Sequence, residues 1–477
     1  MFYWWPSVAI QSPVPDSAMD GLIRQFRVAY AATNGEQLAE TLSPDTEAHS
    51  SRLRAIWGRG DARSMTADLN FLFHQDQARH SIRLSKEETS GWLAIYTAYW
   101  KAIGEILAAE GLRSDAQSSW AKVYIAWKEL TLLTVRGYTN HDFENWTIPC
   151  LYVTGKYLRL FAMRADSERS LNSDDMAVDD LKDDFDPQAE EHKNCARHLN
   201  RIFQRRAPLE ESRKWGVYYA VNLLFKTYFR LNSEPLSKNI LKAISAGRAD
   251  IPPIDKFPKS QQVTFKYYEG VLAFLEENYV EASEAASFPS EPTAEKHLEM
   301  AWLMCHKDAQ RNLELILTYL IPCRLLTTHT LPSSKLLEPF PRLQKLFIPL
   351  SRAIRKSDLR AFDIALRDGE DEFIKRRVYL TLERGRDIVL RNLLRKVFIT
   401  GGFEEPKEGA APVRRTRIPL TEFTAAVQMS SGEAIDPDEV ECLLANMIYK
   451  NLMKGYIAHE RGIVVLSKSG AFPGTKV

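Results

Sequence analysis

Large apolar residues recur at steps of three and four along most of this 477-residue chain. Trp92, Ile95, Tyr96, Tyr99, Trp100, Ile103, Ile106 and Leu107 form one such series, which predicts a helix with a single apolar face. The same period runs through 123–133, and again through 151–163 after Pro149. Shorter helices are expected at 22–32 and 67–73, beside the breaker Gly58-Arg-Gly60. Stripes of this kind are buried by packing helix on helix, so the chain is expected to be mainly α.

One stretch interrupts the period. Residues 166–191 hold eleven acidic side chains against two basic ones, Arg169 and Lys182, and few large apolar groups. Self-repulsion and a thin apolar supply predict a flexible acidic loop. Beyond it, helices come in pairs. A dense run over 215–231 places Lys226 and Arg230 outward, and Pro235 opens a second helix over 236–244. Gly270, Tyr279, Ala282, Ala285 and Ala286 resemble a tetratricopeptide hairpin, where a small residue lets two helices approach closely. Residues 295–326 follow, with Leu298, Trp302, Leu315, Ile316, Tyr319, Leu320 and Leu326 as candidate core. No strict repeat length emerges, so the expected architecture is a solenoid of unlike, TPR-like helical pairs.

The pattern changes near 419. A short helix starts at Pro419-Leu-Thr-Glu-Phe423 and breaks at Ser430-Ser-Gly432. Asp436-Pro-Asp438 is a helix start, with an Asp cap, Pro in the first turn and acids where the helix dipole favours them. Val440, Leu443, Leu444, Met447, Ile448 and Leu452 give its buried stripe, and Gly455 is expected to end it. Tyr456-Ile-Ala-His459 and Ile463-Val-Val-Leu466 flank Glu460-Arg-Gly462, which signals a hairpin. Helix, turn, longer helix and hairpin is the order of a winged helix, a helix-turn-helix variant whose second helix often lies in a DNA groove.

Composition narrows the function classes. Hydrophobic residues at 45% and charged residues at 26% fit an ordinary globular chain and exclude wholesale disorder. No run of 18 apolar residues suggests a membrane span. The N-terminal Met1-Phe-Tyr-Trp-Trp-Pro6 lacks a basic lead-in and is broken by prolines, so it reads poorly as a signal peptide. Five widely spaced cysteines form neither a disulfide framework nor a zinc ribbon. Phosphate-binding glycine loops, nucleophile elbows and metalloprotease signatures are all missing from the sequence. His192, Cys195 and His198 turn through about 600° on a helix and cannot share one coordination face. The expectation is therefore no catalytic residue, no metal, no cofactor and no small-molecule substrate.

The net charge of +1 hides a local excess. Residues 351–417 carry 17 Lys or Arg against 11 Asp or Glu. Arg391, Arg395, Lys396, Arg414 and Arg415 lie there, and Lys450 and Lys454 follow in the winged part. These seven are the candidate phosphate contacts. Contact with acidic peptides, or a merely solvated helix face, are the alternatives.

Several stretches resemble the PCI family of proteasome-lid, COP-nine signalosome and translation-initiation scaffolds. They are Val221-Asn-Leu-Leu-Phe-Lys-Thr-Tyr-Phe229, Leu320-Ile-Pro-Cys-Arg-Leu-Leu326, Arg391-Asn-Leu-Leu-Arg-Lys-Val397 and Val440-Glu-Cys-Leu-Leu-Ala-Asn-Met-Ile-Tyr-Lys450. Lys454-Gly-Tyr-Ile-Ala-His459, Val465-Leu-Ser-Lys468 and Phe472-Pro473 complete the series. The likeness covers roughly 192–477 and is strongest to the branch of signalosome subunit twelve and the PCI subunit of the TREX-two messenger-RNA export complex. Two places depart from the pattern. Thr327-Thr-His329 stands where a Gly-containing turn is expected, and Arg414–Arg417 replaces a shorter link.

The resemblance implies a helical-repeat domain fused to a C-terminal winged helix, without enzymatic activity. It implies pairing with a second PCI-domain protein through the winged helices, and a small acidic, largely disordered subunit of the split-hand/split-foot type. It further implies RNA or DNA handling in a nuclear complex of transcription, splicing or export, with the cytoplasm as a second location. A signalosome- or lid-like scaffold without nucleic-acid contact is the rival expectation. The expected organisation is an N-terminal helical region at 1–165, the acidic loop at 166–191 and a helical-repeat domain at 192–350. The PCI end follows at 351–477, with the winged helix at about 419–468.

Overall fold

The computed structural model describes residues 18–44, 49–57, 65–71, 73, 84–112, 119–174, 212–247, 251–279, 293–403 and 414–475. It divides into two compact units, Met1–Phe265 and Lys266–Val477. The family of folds is as expected: helical pairs followed by a small three-stranded sheet in a winged helix.

In the first unit, three long helices carry the core. α1 (Ala18–Ala31), α2 (Gly35–Thr41) and α3 (His49–Trp57) precede α4 (Lys86–Ala109), α5 (Trp120–Asn140) and α6 (Ile148–Asp174). α4 starts at a complete capping box, Ser85 and Glu88 each satisfying the other's backbone N–H. Its predicted stripe is the buried one: Trp92, Ile95, Tyr96, Tyr99 and Ile103 are all fully covered. Trp127 on α5 packs edge-on against Tyr99, Tyr157 and Phe161, and its indole N–H donates to the Thr154 carbonyl at 2.8 Å. α7 (Val217–Arg230) and α8 (Glu234–Ala246) follow, with Tyr219 stacked on Tyr152 at 4.2 Å.

Two expected boundaries need correction. α6 runs unbroken to Asp174, so the acidic loop does not begin at 166; backbone hydrogen bonds continue through its first acidic residues. The remainder of that loop, and the His192, Cys195 and His198 trio, lie outside the described residues. The cut at 350/351 falls inside α13, a continuous helix, because Leu343, Phe347, Leu350 and Ile354 keep one stripe across it. The division into units falls instead within α9 (Lys259–Leu275).

The second unit pairs α10 (Ala294–Met304) with α11 (Gln310–Thr327). The short α12 (Ser334–Leu337) leads to α13 (Pro341–Lys356) and α14 (Leu359–Asp368). The short α15 (Glu370–Lys375) and α16 (Tyr379–Glu383) precede α17 (Gly385–Thr400). The tetratricopeptide-like expectation holds at its key residue. A Cβ on Gly270 would sit 2.7 Å from Leu298 Cγ, so α9 and α10 approach as closely as a missing side chain permits. Tyr279 Oη meets Thr381 Oγ1 at 3.0 Å, while Ala282, Ala285 and Ala286 lie outside the described residues. Where a glycine turn was expected after α11, His329 takes the left-handed conformation itself, at φ 53°.

The winged helix comprises β1 (Arg417–Pro419), α18 (Leu420–Ser431), α19 (Pro437–Tyr449), β2 (Gly455–Ala458) and β3 (Ile463–Leu466). The sheet is antiparallel in the order β1-β3-β2, with Ile418 opposite Val464 and Tyr456 opposite Val465. Asp436 caps α19 as predicted. Gly455 does not end that helix; Asn451, at φ 54°, turns the chain instead. Gly455 lies in β2, where a Cβ would strike the Val465 carbonyl oxygen across the ladder. The module is fastened to the helices before it through Ser430, whose Oγ donates to the Ser357 carbonyl and accepts from the Leu359 N–H, both at 2.9 Å.

Candidate nucleic-acid interface

The seven candidate cations do not form one patch. They are distributed along α17 and the winged helix, and the helical phase decides what each can do. Arg391 shares a face with Leu394 and Phe398, the buried stripe of α17. It is 5% exposed, its Nη2 donates to Asn392 Oδ1 at 3.2 Å, and its Nε and Nη1 have no partner among the described residues. Burial, followed by the neighbouring charge of Arg395, lowers its pKa from the usual guanidinium range. Arg391 is therefore corrected from surface contact to interior cation: a polymer phosphate cannot reach it in this conformation. Charge composition alone does not carry this signal; the three-and-four spacing assigns Arg391 to the apolar side. Arg395, one turn on, is half-buried, and its Nε too has no partner among the described residues.

The remaining five are exposed or half-exposed, and four of them are engaged. Lys396 Nζ donates to the Lys356 carbonyl at 2.6 Å, neutralising the C-terminus of α13. The Arg414 guanidinium lies over Phe403 at 4.8 Å and Phe398 at 5.4 Å. Arg415 pairs with Glu422 at 3.1 Å, and Lys450 with Asp387 at 2.6 Å. Lys454 is exposed; its backbone N–H is held by the Ala471 carbonyl at 2.7 Å, and its ammonium has no partner among the described residues. Of the link Arg414–Arg417, Arg414 forms an antiparallel bridge with Phe403 and Arg417 opens β1. Lys450, paired in the first turn of α17, and Arg414, packed on its last turn, are separated by about 16 Å along that helix. The arrangement is a stripe.

The second helix of the winged part carries the opposite charge at its start. Asp436, Asp438 and Glu439 occupy its cap and first turn, and Glu441 accepts from or pairs with His459 Nδ1 at 3.0 Å. Those acids suit the helix dipole. They also occupy the positions that contact base edges when such a helix enters a major groove, where carboxylates meet phosphates of like sign.

The interior thiols are poorly suited to nucleophilic chemistry. Burial pushes the Cys323 thiol up to about 12, and the nearby Glu295 carboxylate pushes the same way. Cys150 and Cys305 are also raised by burial. A cleft of about 470 Å³ beside α11 is lined by Leu317, Leu320, Ile321 and Leu336, with Arg324 and Glu295 already paired to each other.

Residues 366–468 match the PCI domain model. The chain is 60% identical over 472 residues to Protein CSN12 homolog of Neurospora crassa, covering 96% of this chain and all of the relative. It is 57% identical to Protein CSN12 homolog of Gibberella zeae over 470 residues, covering 96% and 100%. Identity to PCI domain-containing protein 2 of Danio rerio is 32% over 339 residues, covering 71% and 76%.

Proposed function

This chain belongs to the PCI-domain family, in the branch of the CSN12 homologues and PCI domain-containing protein 2, and on that footing we propose that it is a non-catalytic scaffold of a nuclear complex. Proteins of this family act in multi-subunit complexes. In our reading the complex serves transcription-coupled messenger-RNA processing or export. The chain pairs there with a second PCI-domain protein through the winged helices and holds a small acidic, disordered subunit of the split-hand/split-foot type. The pairing is supported by the sheet itself: β1 and β2 are both outer strands, each with one hydrogen-bonding edge not used within the sheet.

Contact with RNA or DNA through the basic stripe is the finer part of the proposal. The observation that carries it is Lys454, exposed in the α19–β2 connection and without a counter-ion among the described residues, with Lys450, Arg414 and Arg415 on the same unit. Binding to a labelled duplex and its single strand across a salt series tests it. Each phosphate contact adds about 0.9 to the magnitude of the log affinity against log salt slope on duplex, and about 0.7 on a single strand. Lys454→Glu with Arg415→Glu should weaken binding and flatten that slope, with the melting temperature retained. Unchanged affinity removes these residues from the site.

A signalosome- or lid-like scaffold without nucleic-acid contact is the second reading. It is favoured by the acidic first turn of α19 and by cations already held by Asp387, Glu422 and the end of α13. A nuclease-treated, purified complex that ignores oligonucleotides at low salt decides for it.

A further inference from the structure

Two tyrosines at the α19–β2 junction stand in water with no packing reason to be there. Tyr449, the last residue of α19, is 89% exposed, and Tyr456 in β2 is 62% exposed. Tyr449 follows Met447, the last buried residue of the stripe, by two positions and so points away from it. Tyr456 opposes Val465, whose neighbours Val464 and Leu466 are buried; alternation therefore places Tyr456 on the outer face of the sheet.

The link between them is short and held. The Met447 carbonyl accepts from the N–H groups of both Leu452 and Met453, at 2.9 and 3.2 Å. The Lys454 backbone is fixed on both sides, its N–H to Ala471 and its carbonyl to Ser467. Lys450 and Lys454 lie on this link, so the order is ring, cation, cation, ring. Along α19 the charge passes from Asp436, Asp438 and Glu439 at one end to Lys450 at the other. A duplex seated as in a helix-turn-helix complex would bring the acidic end to its bases. A single strand needs only exposed ring faces for its splayed bases and a few cations for its backbone.

We propose that the Tyr449–Tyr456 junction is a site for single-stranded nucleic acid, with bases stacking on the two rings and phosphates on Lys454 and Lys450. This deepens the nucleic-acid reading above and rests on it. Lys454 is the stronger backbone contact, because Lys450 shares its charge with Asp387.

The test uses the full chain, a fluorescent oligo-uridine single strand of twelve nucleotides and a blunt duplex of the same length. The single strand should bind more tightly than the duplex. Tyr449→Ala should weaken single-strand binding by about tenfold, the scale of one lost base stack, with the salt slope kept. Tyr449→Phe should restore binding, since the ring remains. Lys454→Gln should lower the slope by about 0.7. Single-strand binding that ignores Tyr449→Ala and Tyr456→Ala, or a duplex bound more tightly, overturns this site and leaves the broader nucleic-acid reading standing. Failure to bind either oligonucleotide overturns both. Loss of a co-purifying PCI partner in the tyrosine variants, with single-strand binding unchanged, makes the junction a protein interface and overturns the proposal.

Discussion

The N-terminal unit and the winged helix solve the stability problem by different means. The first buries large rings between long helices. α4, α5 and α6 run for 24, 21 and 27 residues, and Trp92, Trp127, Tyr96, Tyr99 and Tyr124 are among its fully covered side chains. The second has strands of three or four residues and helices of 12 and 13. It is specified by punctuation: an Asp cap, left-handed residues at Asn451 and Gly462, a glycine at a close strand contact, and a His–Glu pair. Area carries the first and local geometry the second. The two should therefore fail under different substitutions.

Trp127→Ala is the largest expected effect. It removes a fully buried ring, three edge contacts and the hydrogen bond to the Thr154 carbonyl. Deletions of this kind cost about 3–5 kcal/mol. Denaturant unfolding followed by amide hydrogen exchange should show protection lost across α5 and α6, with the winged helix retained. Equal loss in both regions would dissolve the contrast. Gly455→Ala is the matching insult to the winged helix, because the added methyl meets a backbone oxygen rather than a side chain that can move aside. Overpacking of this sort costs about 1–3 kcal/mol, and exchange protection in β2 and β3 should fall first.

The same contrast explains what could be read from the sequence. Period alone located α4, and punctuation alone located α18, α19 and the hairpin, since a cap or a glycine names its own position. β1 is not legible in the sequence: three residues ending in Pro carry no alternation, and Ile418 becomes a strand residue only because Val464 lies opposite. The continuation of α6 to Asp174 is masked in the sequence by its acidic composition, although Asp166 is buried in the helix. At the candidate interface the residue types were legible and their fates were not. Nothing local in the sequence distinguishes Lys450, paired with Asp387 63 residues away, from Lys454, which has no partner among the described residues. Arg391, expected as a surface contact, is the exception, since its phase against Leu394 and Phe398 is a local signal for the interior.

Asp436→Ala tests the punctuation at a smaller scale. The Asp436 carboxylate accepts from the Asp438 N–H at 3.4 Å, at the start of α19. Losing an N-cap costs about 1 kcal/mol, visible as a lowered melting temperature with the N-terminal unit unaffected. A neutral outcome would mean that Pro437 and the dipole-matched acids suffice to start the helix.

The smallest effect should be one of pH. His459 Nδ1 lies 3.0 Å from Glu441 Oε2, and the carboxylate raises the His459 pKa above its usual 6.5. A raised histidine pKa means that the folded state holds the proton more tightly than the unfolded chain. The stabilisation is therefore fully present below the unfolded value of 6.5 and is lost as pH rises through the folded value. Both groups sit at the surface of the winged helix, so salt should weaken the effect. The prediction is a slight loosening of the turn between β2 and β3 on passing from pH 6 to pH 8, seen in the amide resonances of 459–462. Glu441→Gln should abolish that dependence and leave the N-terminal unit's pH profile untouched. A wing equally ordered at both pH values would show that its geometry rests on the Gly462 turn and the β2–β3 ladder alone, which is the limit in which punctuation needs no charge.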